Sequence, residues 1–151
     1  MPKVPRFTNF NSSSESASRI KQRSRSRDTK PELLLRKELW RRGLRYRLHR
    51  SDLPGKPDVV FRQARVVVFC DGDFWHGRRW EQRREKLARG ANALYWTAKI
   101  AANVVRDRRN TRALKLAGWT VIRLWETDIL RDVGRAAARV EAIVMKRRLS
   151  R

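Results

Sequence analysis

The chain has 151 residues, of which 38 are Lys or Arg and 15 are Asp or Glu, so its formal net charge is +23. This length and the 40% share of hydrophobic residues support one domain with its own core and exclude a wholly disordered basic tail. The charge favours nucleic acid as the partner, because Lys and Arg contacts release the counterions condensed on phosphate polyanions. The alternative is that the arginine abundance reflects a genome of high GC content.

Cysteine usage and hydropathy predict a cytoplasmic protein, associated with the nucleoid if nucleic acid is its partner. Cys70 is the single cysteine, so no internal disulfide can form, and no Cys/His array has zinc-finger spacing. No apolar run approaches the roughly 18–20 residues that span a bilayer, and the N-terminus lacks the apolar stretch of a secretory signal.

Residues 1–27 predict a flexible basic arm, because their Ser- and Arg-rich composition buries too little apolar surface to offset the entropy of ordering. Residues 28–151 then form a single domain. The segment Thr29-Lys30-Pro31-Glu32 has the pattern of a capping box and predicts the start of a helix. That helix should end near Arg42, before Gly43.

Two β-branched runs predict strands, at residues 58–61 and 66–69. The second run has no polar alternation, so we expect it to be buried on both faces. Four further elements follow: a short helix or exposed loop over 78–89, a helix over 94–117 broken near 107–110, a strand over 119–125, and an amphipathic helix over 129–145. This order predicts a three-layer α/β domain, with a small mixed central sheet flanked by helices.

Carboxylates cluster at the ends of the two predicted strands. Asp58 opens the first strand and Asp71 closes the second, so the two meet if the strands pair as a hairpin. Converging carboxylates bind a hard cation such as Mg²⁺, and a metal that touches phosphate stabilises charge in the transition state. Because Asp is also common in turns, a purely structural role is the alternative.

The loop after the second strand contains Phe74, Trp75 and His76, followed by Gly77. A neutral imidazole there could take a proton from water, and Asp107 is the kind of acid that orients such a ring. A structural histidine and a solvated helix charge are the alternatives. The two aromatic rings could stack on bases or wedge between them, or they could fold back into the core.

Five ordered motifs over residues 18–130 resemble the very-short-patch repair (Vsr) endonuclease family. They are Asp28-Thr29-Lys30-Pro31-Glu32, then Leu53-Pro54-Gly55-Lys56-Pro57-Asp58, then residues 68–77, then Trp96 with Lys99, Asn103 and Arg106-Asp107, and finally Gly118-Trp119 with Leu124-Trp125-Glu126. The resemblance implies a restriction-endonuclease-like fold and a Mg²⁺-dependent nick in one strand of duplex DNA, beside a T:G mismatch in the best-known members.

The resemblance also implies a role for each candidate residue. Asp58 would be the central Mg²⁺ ligand, with the Cys70 carbonyl as a second ligand, and Asp71 would be a polar active-site residue. Glu32 would help to hold the water shell around the metal. His76 would activate the attacking water and Asp107 would orient His76. Phe74, Trp75 and Trp96 would form an aromatic wedge, and the cations that we expect to contact DNA are Arg25, Arg27, Lys56, Arg78 and Arg79.

The chain departs from the family at its structural zinc. Many relatives carry Cys where this chain has Asp73 and Arg78, and a further zinc ligand near Thr127, so we predict no structural zinc. Loops beside that site help to shape mismatch recognition, which leaves the T:G preference open. The alternatives are a homing-type or defence-associated nickase of the same superfamily, a non-catalytic DNA-binding protein of this fold, and an RNA-binding protein. We expect a monomer, with double-stranded DNA as its partner and mismatch-repair proteins as further candidates.

Overall fold

The computed structural model describes residues 27–151, so residues 1–26 of the predicted basic arm, Arg25 among them, lie outside the described residues. Helix α1 spans Lys30–Arg41, as the sequence pattern predicts. The Thr29 hydroxyl donates to the Glu32 side chain (3.1 Å) and does not cap the helix backbone, so the reciprocal capping box is not formed. The helix ends before Gly43, whose φ of 82° belongs to the left-handed region that favours glycine.

A four-stranded mixed sheet forms the centre of the domain, in the order β1-β2-β3-β4. Its strands are β1 (Arg47–Leu48), β2 (Val59–Phe61), β3 (Val66–Asp71) and β4 (Thr120–Trp125). Strands β2 and β3 pair antiparallel as a hairpin, and β3 pairs parallel with β4. Strand β3 therefore lies in the interior of the sheet, and Val66, Val67 and Val68 are fully buried, which explains its unbroken apolar run.

Four helices complete the described chain: α2 (Trp80–Ala88), α3 (Ala93–Leu116), α4 (Glu126–Arg131) and α5 (Val133–Leu149). The predicted break near 107–110 is wrong. Helix α3 is continuous there because the segment contains no Gly or Pro, and arginine is a good helix former. Of the helices in residues 27–151, none is long and apolar enough to cross a membrane.

The predicted C-terminal helix is divided into α4 and α5 at Asp132. This residue has extended backbone (φ −153°), and its carboxylate accepts the Arg135 amide (2.9 Å) at the start of α5. A short acidic side chain in this position is a favourable N-cap, because it satisfies a backbone donor that the first turn leaves without a partner. Helix α4 follows β4 directly, and α5, which begins after Asp132, packs against one face of the sheet.

The domain has three layers, which confirms the predicted architecture. One face of the sheet packs against α1, α4 and α5 through a core that includes Leu35, Leu39, Ile129, Val140 and Val144. The other face packs against α3, where Leu114 meets side chains of β2 and β3. Because alternate strand residues point to opposite faces, Val59 and Val68 join the first core while Val60 and Val67 join the second.

Candidate active site

The hairpin register brings the two strand-end carboxylates to one end of the sheet. The Asp58 amide donates to the Val68 carbonyl (3.0 Å), which extends the β2–β3 pairing by one residue. The Asp58 carboxylate in turn accepts the Cys70 amide (Oδ2 to N, 2.7 Å). Asp71 follows Cys70 as the last residue of β3, paired with Trp125 of β4. The two strands do pair as a hairpin, so Asp58 and Asp71 lie close together.

Electrostatics at this end of the sheet favour a bound cation. The pKa of Asp58 is raised to about 7, mainly because burial disfavours the charged form and also because of the charges of Glu32 and Asp71, while the hydrogen bond from the Cys70 amide opposes the shift. Burial also raises the pKa of Asp71. The N–H and C=O of one strand residue point to the same edge, so the Cys70 carbonyl faces the side on which Asp58 lies. A partly buried carboxylate with a carbonyl oxygen beside it is a donor set that fits Mg²⁺.

Glu32 belongs to a buried ion-pair network next to Asp58. The Arg36 guanidinium contacts Glu32 (2.8 Å), Asp28 (2.7 Å) and the Nε2 atom of His49 (3.2 Å). Asp28, Glu32 and His49 are the three side chains that could jointly reach a metal ion within residues 27–151, yet Arg36 already supplies positive charge between them. The sequence analysis did not single out Arg36, although its spacing four residues after Glu32 is the signal of a helix ion pair.

His76 and Asp107 form the closest titratable pair of the site. The His76 Nδ1 atom lies 2.6 Å from Asp107 Oδ2 and 3.6 Å from Asp71 Oδ1. Burial lowers the pKa of His76, but the hydrogen bond to Asp107 and the charges of both carboxylates outweigh it, so the pKa is raised. The same hydrogen bond lowers the pKa of Asp107 against its own burial. With Nδ1 bonded to Asp107, Nε2 is the nitrogen left to exchange a proton.

Arg123 fixes Asp71 from the neighbouring strand. Its Nη1 atom donates to both Asp71 oxygens (2.9 and 3.0 Å), and its Nη2 atom donates to the Asp107 carbonyl (3.4 Å). This residue was missed by the sequence analysis. The available signal was an arginine between two apolar residues of a predicted strand, Ile122 and Leu124, where a charge needs a buried partner.

The loop that carries His76 is held against helix α3. The Asn103 side chain donates to the Trp75 carbonyl (3.0 Å). Gly77 has a φ of 71°, and a Cβ added there would lie 2.7 Å from Val104 Cγ2, so no larger residue fits without movement. The close approach of this glycine to α3 places His76 beside Asp107 of the same helix.

The three predicted wedge aromatics form one cluster beside this loop. Ring centroids are 5.2 Å apart for Phe74 and Trp75, 5.7 Å for Phe74 and Trp96, and 5.6 Å for Trp75 and Trp96. All three side chains are half-buried. The rings are therefore neither free in solvent nor part of the two sheet cores, and they present a partly exposed apolar surface next to the site.

The predicted DNA-contacting cations differ in their surroundings. Arg27, Lys56 and Arg79 are exposed. Arg78 is only partly exposed and lies within ion-pair distance of Asp73 (3.5 Å) and Asp128 (3.0 Å). Asp73, Arg78 and Thr127, the positions at which the sequence analysis expected no zinc ligand, contact one another through hydrogen bonds.

A mixed sheet in three layers, with carboxylates at one end of a hairpin beside a His–Asp pair, defines a restriction-endonuclease-like nuclease domain. Sequence comparison agrees with this class. The family model for the DNA mismatch endonuclease Vsr matches residues 11–82. The chain is 42% identical over 130 residues to the type II nicking enzyme V.NmeDIP of Neisseria meningitidis serogroup C, an alignment that covers 86% of each chain.

Two further relatives support the same assignment. The type II nicking enzyme V.HpaIIP of Haemophilus parainfluenzae is 35% identical over 128 residues, which cover 85% of this chain and 89% of the relative. The DNA mismatch endonuclease Vsr of Escherichia coli strain K12 is 38% identical over 101 residues, which cover 67% of this chain and 63% of the relative. The chain therefore belongs to the Vsr family of DNA endonucleases.

Proposed function

We propose that this endonuclease nicks one strand of duplex DNA in a Mg²⁺-dependent reaction, 5′ of the T in a T:G mismatch. The observation that carries the proposal is the meeting of Asp58, Asp71, His76 and Asp107 at one end of the sheet. Relatives named as nicking enzymes and as a mismatch endonuclease support the two parts of the proposal, namely single-strand cleavage and mismatch preference.

Asp58 and the Cys70 carbonyl would hold the Mg²⁺ ion. The Asp58 carboxylate is partly buried near other acids, and the neighbouring cations are already bound elsewhere, Arg36 to Glu32 and Arg123 to Asp71. A divalent cation would supply the missing positive charge and favour the ionised form of Asp58. When bound, it stabilises negative charge on the phosphate and on the leaving 3′ oxygen.

His76 would act as the general base. Its Nε2 atom takes a proton from the water that attacks phosphorus, while Nδ1 keeps its hydrogen bond to Asp107. Asp107 holds the ring in one tautomer and stabilises the imidazolium that forms, as a carboxylate does behind a catalytic histidine. Arg123 holds Asp71 in place, so that the second carboxylate near Nδ1 does not rotate away.

The aromatic cluster of Phe74, Trp75 and Trp96 would meet the bases. Its rings are partly exposed and flank the His76 loop, so a duplex whose phosphate reaches His76 passes over them. Aromatic side chains that insert between base pairs unstack them and bend the duplex. The free energy needed to open a base pair is lower for a mismatched pair than for a matched one. This provides a physical reason for a preference for a T:G pair over a matched pair.

The proposal is tested with three substrates: a duplex containing one T:G pair, the matched T:A duplex, and supercoiled plasmid, each with Mg²⁺ or with EDTA. We expect metal-dependent nicking of one strand, fastest on the T:G duplex. Asp58→Ala should bind DNA without cutting it, whereas the exposed turn residue Asp52, which pairs with Arg50, provides a matched control as Asp52→Ala. Equal cutting of both duplexes would favour a defence or homing nickase, and tight binding without cutting would favour a non-catalytic protein.

A further inference from the structure

Asp73 caps a helix from a distant segment of the chain. Its side chain accepts the Thr127 hydroxyl (2.7 Å) and the Thr127 amide (3.4 Å), and Asp73 is only 8% exposed. Thr127 is the second residue of α4, so its amide is one of the donors that a helix leaves without an internal partner. A carboxylate at this position also interacts favourably with the positive, N-terminal end of the α4 dipole. Asp73 therefore fastens the loop after β3 to the start of α4.

Arg78 closes the same loop from its other end. Its guanidinium contacts Asp73 (3.5 Å), Asp128 (3.0 Å) and the Thr127 hydroxyl, while its amide donates to the Asp73 carbonyl (3.0 Å). Residues 73 and 78 are thus joined by both main chain and side chains. His76 lies inside this closed segment. We call Asp73, Arg78, Thr127 and Asp128 the Arg78 cluster.

We propose that Arg78 is a positioning residue for His76, acting through the Arg78 cluster; this inference rests on the proposed role of His76 as the general base. The hydrogen bonds from Asn103 to the Trp75 carbonyl and between Asp107 and His76 attach the loop to α3. Helix α4 follows β4 without an intervening residue. The Arg78 cluster therefore attaches the loop a second time, through α4, to the sheet that carries Asp71 and Cys70. Both attachments together fix the imidazole relative to the carboxylates.

Bond geometry favours this role over a phosphate contact. The Arg78 side chain is 22% exposed, and its two Nη atoms are directed at two carboxylates and a hydroxyl of the same molecule. A planar guanidinium that bonds to several groups at once is specific in direction, and lysine reproduces its charge without its fixed geometry. Arg84 of α2 provides the contrast: its side chain is 57% exposed, and its carboxylate contact is a distant one to Glu81 (3.6 Å), outside the Arg78 cluster.

Three variants separate positioning from charge. Arg78→Gln opens the Arg78 cluster and removes a cation, Asp128→Asn opens it while removing an anion, and Arg84→Gln removes a cation without touching it. Single-turnover nicking with saturating enzyme measures the chemical step, and DNA titration measures affinity separately. We expect the first two variants to slow the nicking step by about 10- to 100-fold, because moving a catalytic group by about 1 Å can lower the reaction rate by a factor of this size. Arg84→Gln should keep the wild-type rate.

Asp128→Asn gives the sharpest outcome, since it adds positive charge overall. If Arg78 served only as a phosphate contact, this variant would bind DNA at least as tightly and nick at the wild-type rate, which would overturn the proposal. The double variant Arg78→Gln/Asp128→Asn should nick no more slowly than the slower single variant, because the effects of substitutions within one interacting network do not add. Arg78→Lys should recover part of the rate lost in Arg78→Gln.

Hydrogen exchange tests the Arg78 cluster independently of activity. The amides of His76 and Arg78 donate to the Gly72 and Asp73 carbonyls inside the loop. We expect their exchange to accelerate at least about tenfold in Arg78→Gln and in Asp128→Asn, with thermal unfolding of both variants still cooperative. Unchanged exchange would overturn the proposal. If the wild type nicked no DNA, the proposed function would fail while this measurement still decided whether Arg78 orders the loop.

Discussion

The two ends of the β2–β3 hairpin use charge in opposite ways. At one end, the carboxylates of Asp58 and Asp71 lie close together, and the pKa of both is raised. At the turn end, arginines bond to backbone carbonyls: Arg65 to Ala117, Arg147 to Ala64 and Gly118, and Arg151 to Gln63. The negative charges at the Asp58 end therefore lower the stability of the fold, whereas the arginines at the turn end donate hydrogen bonds to backbone carbonyls. Charge that is costly to bury thus lies where catalysis is proposed.

The largest effect should come from removing the carboxylate of Asp58. Asp58→Asn can still accept the Cys70 amide, but it presents no negative charge to a metal ion. We expect Mg²⁺-dependent nicking to fall by about 10³-fold or more, because a bound cation supplies several kcal/mol of transition-state stabilisation. Plasmid nicking over a range of Mg²⁺ concentrations measures this, with Asp52→Asn as the control; near wild-type cutting by Asp58→Asn would remove Asp58 from the metal site.

The same variant should stabilise the metal-free protein at alkaline pH. The pKa of Asp58 is raised from 3.8 to about 7 in the fold, so the native state binds the proton more tightly than the unfolded state. Between these values, stability falls as the pH rises, by up to about 1.4 kcal/mol for each pH unit. Urea unfolding in EDTA at pH 5 and pH 8 should show an advantage of Asp58→Asn that grows with pH. An advantage independent of pH would contradict the raised pKa.

Next in size is the effect of Asp107→Asn on catalysis by His76. The Asp107 carboxylate raises the pKa of His76, so its removal should lower that pKa. Because a general base must be neutral, the nicking rate rises with pH through the His76 pKa, and this midpoint should move to lower pH in the variant. We expect the plateau rate to fall by about 10²-fold as the ring loses its orientation. A pH–rate profile of single-turnover nicking measures both effects, and an unmoved midpoint would contradict the pair.

A smaller effect, on folding, should follow from Gly77→Ala. The added methyl group meets Val104 at 2.7 Å, and the φ of 71° is unfavourable for alanine. We expect a loss of about 1–3 kcal/mol in the free energy of unfolding. The double variant Gly77→Ala/Val104→Ala relieves the contact and keeps the backbone cost, so comparing their urea midpoints separates the two causes. Wild-type stability of Gly77→Ala would show that the loop can move away from α3.

The smallest effect should come from the turn end of the hairpin. Arg147→Gln loses the contacts to the Ala64 and Gly118 carbonyls, which lie far from the catalytic residues along the strands. We expect a loss of about 1 kcal/mol in stability and an unchanged rate of the nicking step with saturating enzyme. A slower chemical step in this variant would mean that the two ends of the hairpin are not independent.

Local patterns predicted the parts of the fold that depend on neighbours in sequence. The apolar run at 66–69 and the start of α1 at Lys30 are examples, whereas the pairing of β2 and β3 as a hairpin was left open by the sequence. The predicted break in α3 falls on a run of charged residues, and such residues do not by themselves end a helix. The division at Asp132 has a weak signal, because one acidic residue in an Ala- and Arg-rich segment also suits a helix interior.

The site was predictable in its acids and its histidine but not in its arginines. Resemblance to the family pointed to Asp58, Asp71, His76 and Asp107, which the structure brings together. Arg123 meets Asp71 across 52 positions, and Arg78 meets Asp128 across 50. No local rule pairs residues so far apart, because the contact depends on how β4 and α4 dock onto β3. Arg78 was therefore interpreted as a DNA contact, whereas the structure directs its guanidinium at residues of the same chain.

The parallel pairing of β3 with β4 has a consequence for the order of folding. The β2–β3 hairpin joins neighbouring segments and can form on a microsecond timescale, while β4 must return across the whole of α2 and α3. Closing so long a loop is entropically costly and is expected late. Arg123 and the start of α4 arrive only with that strand, so we expect Asp58 and Asp71 to meet in the early hairpin, whereas Asp71 gains its Arg123 partner and the site becomes competent for cleavage only after β4 has docked.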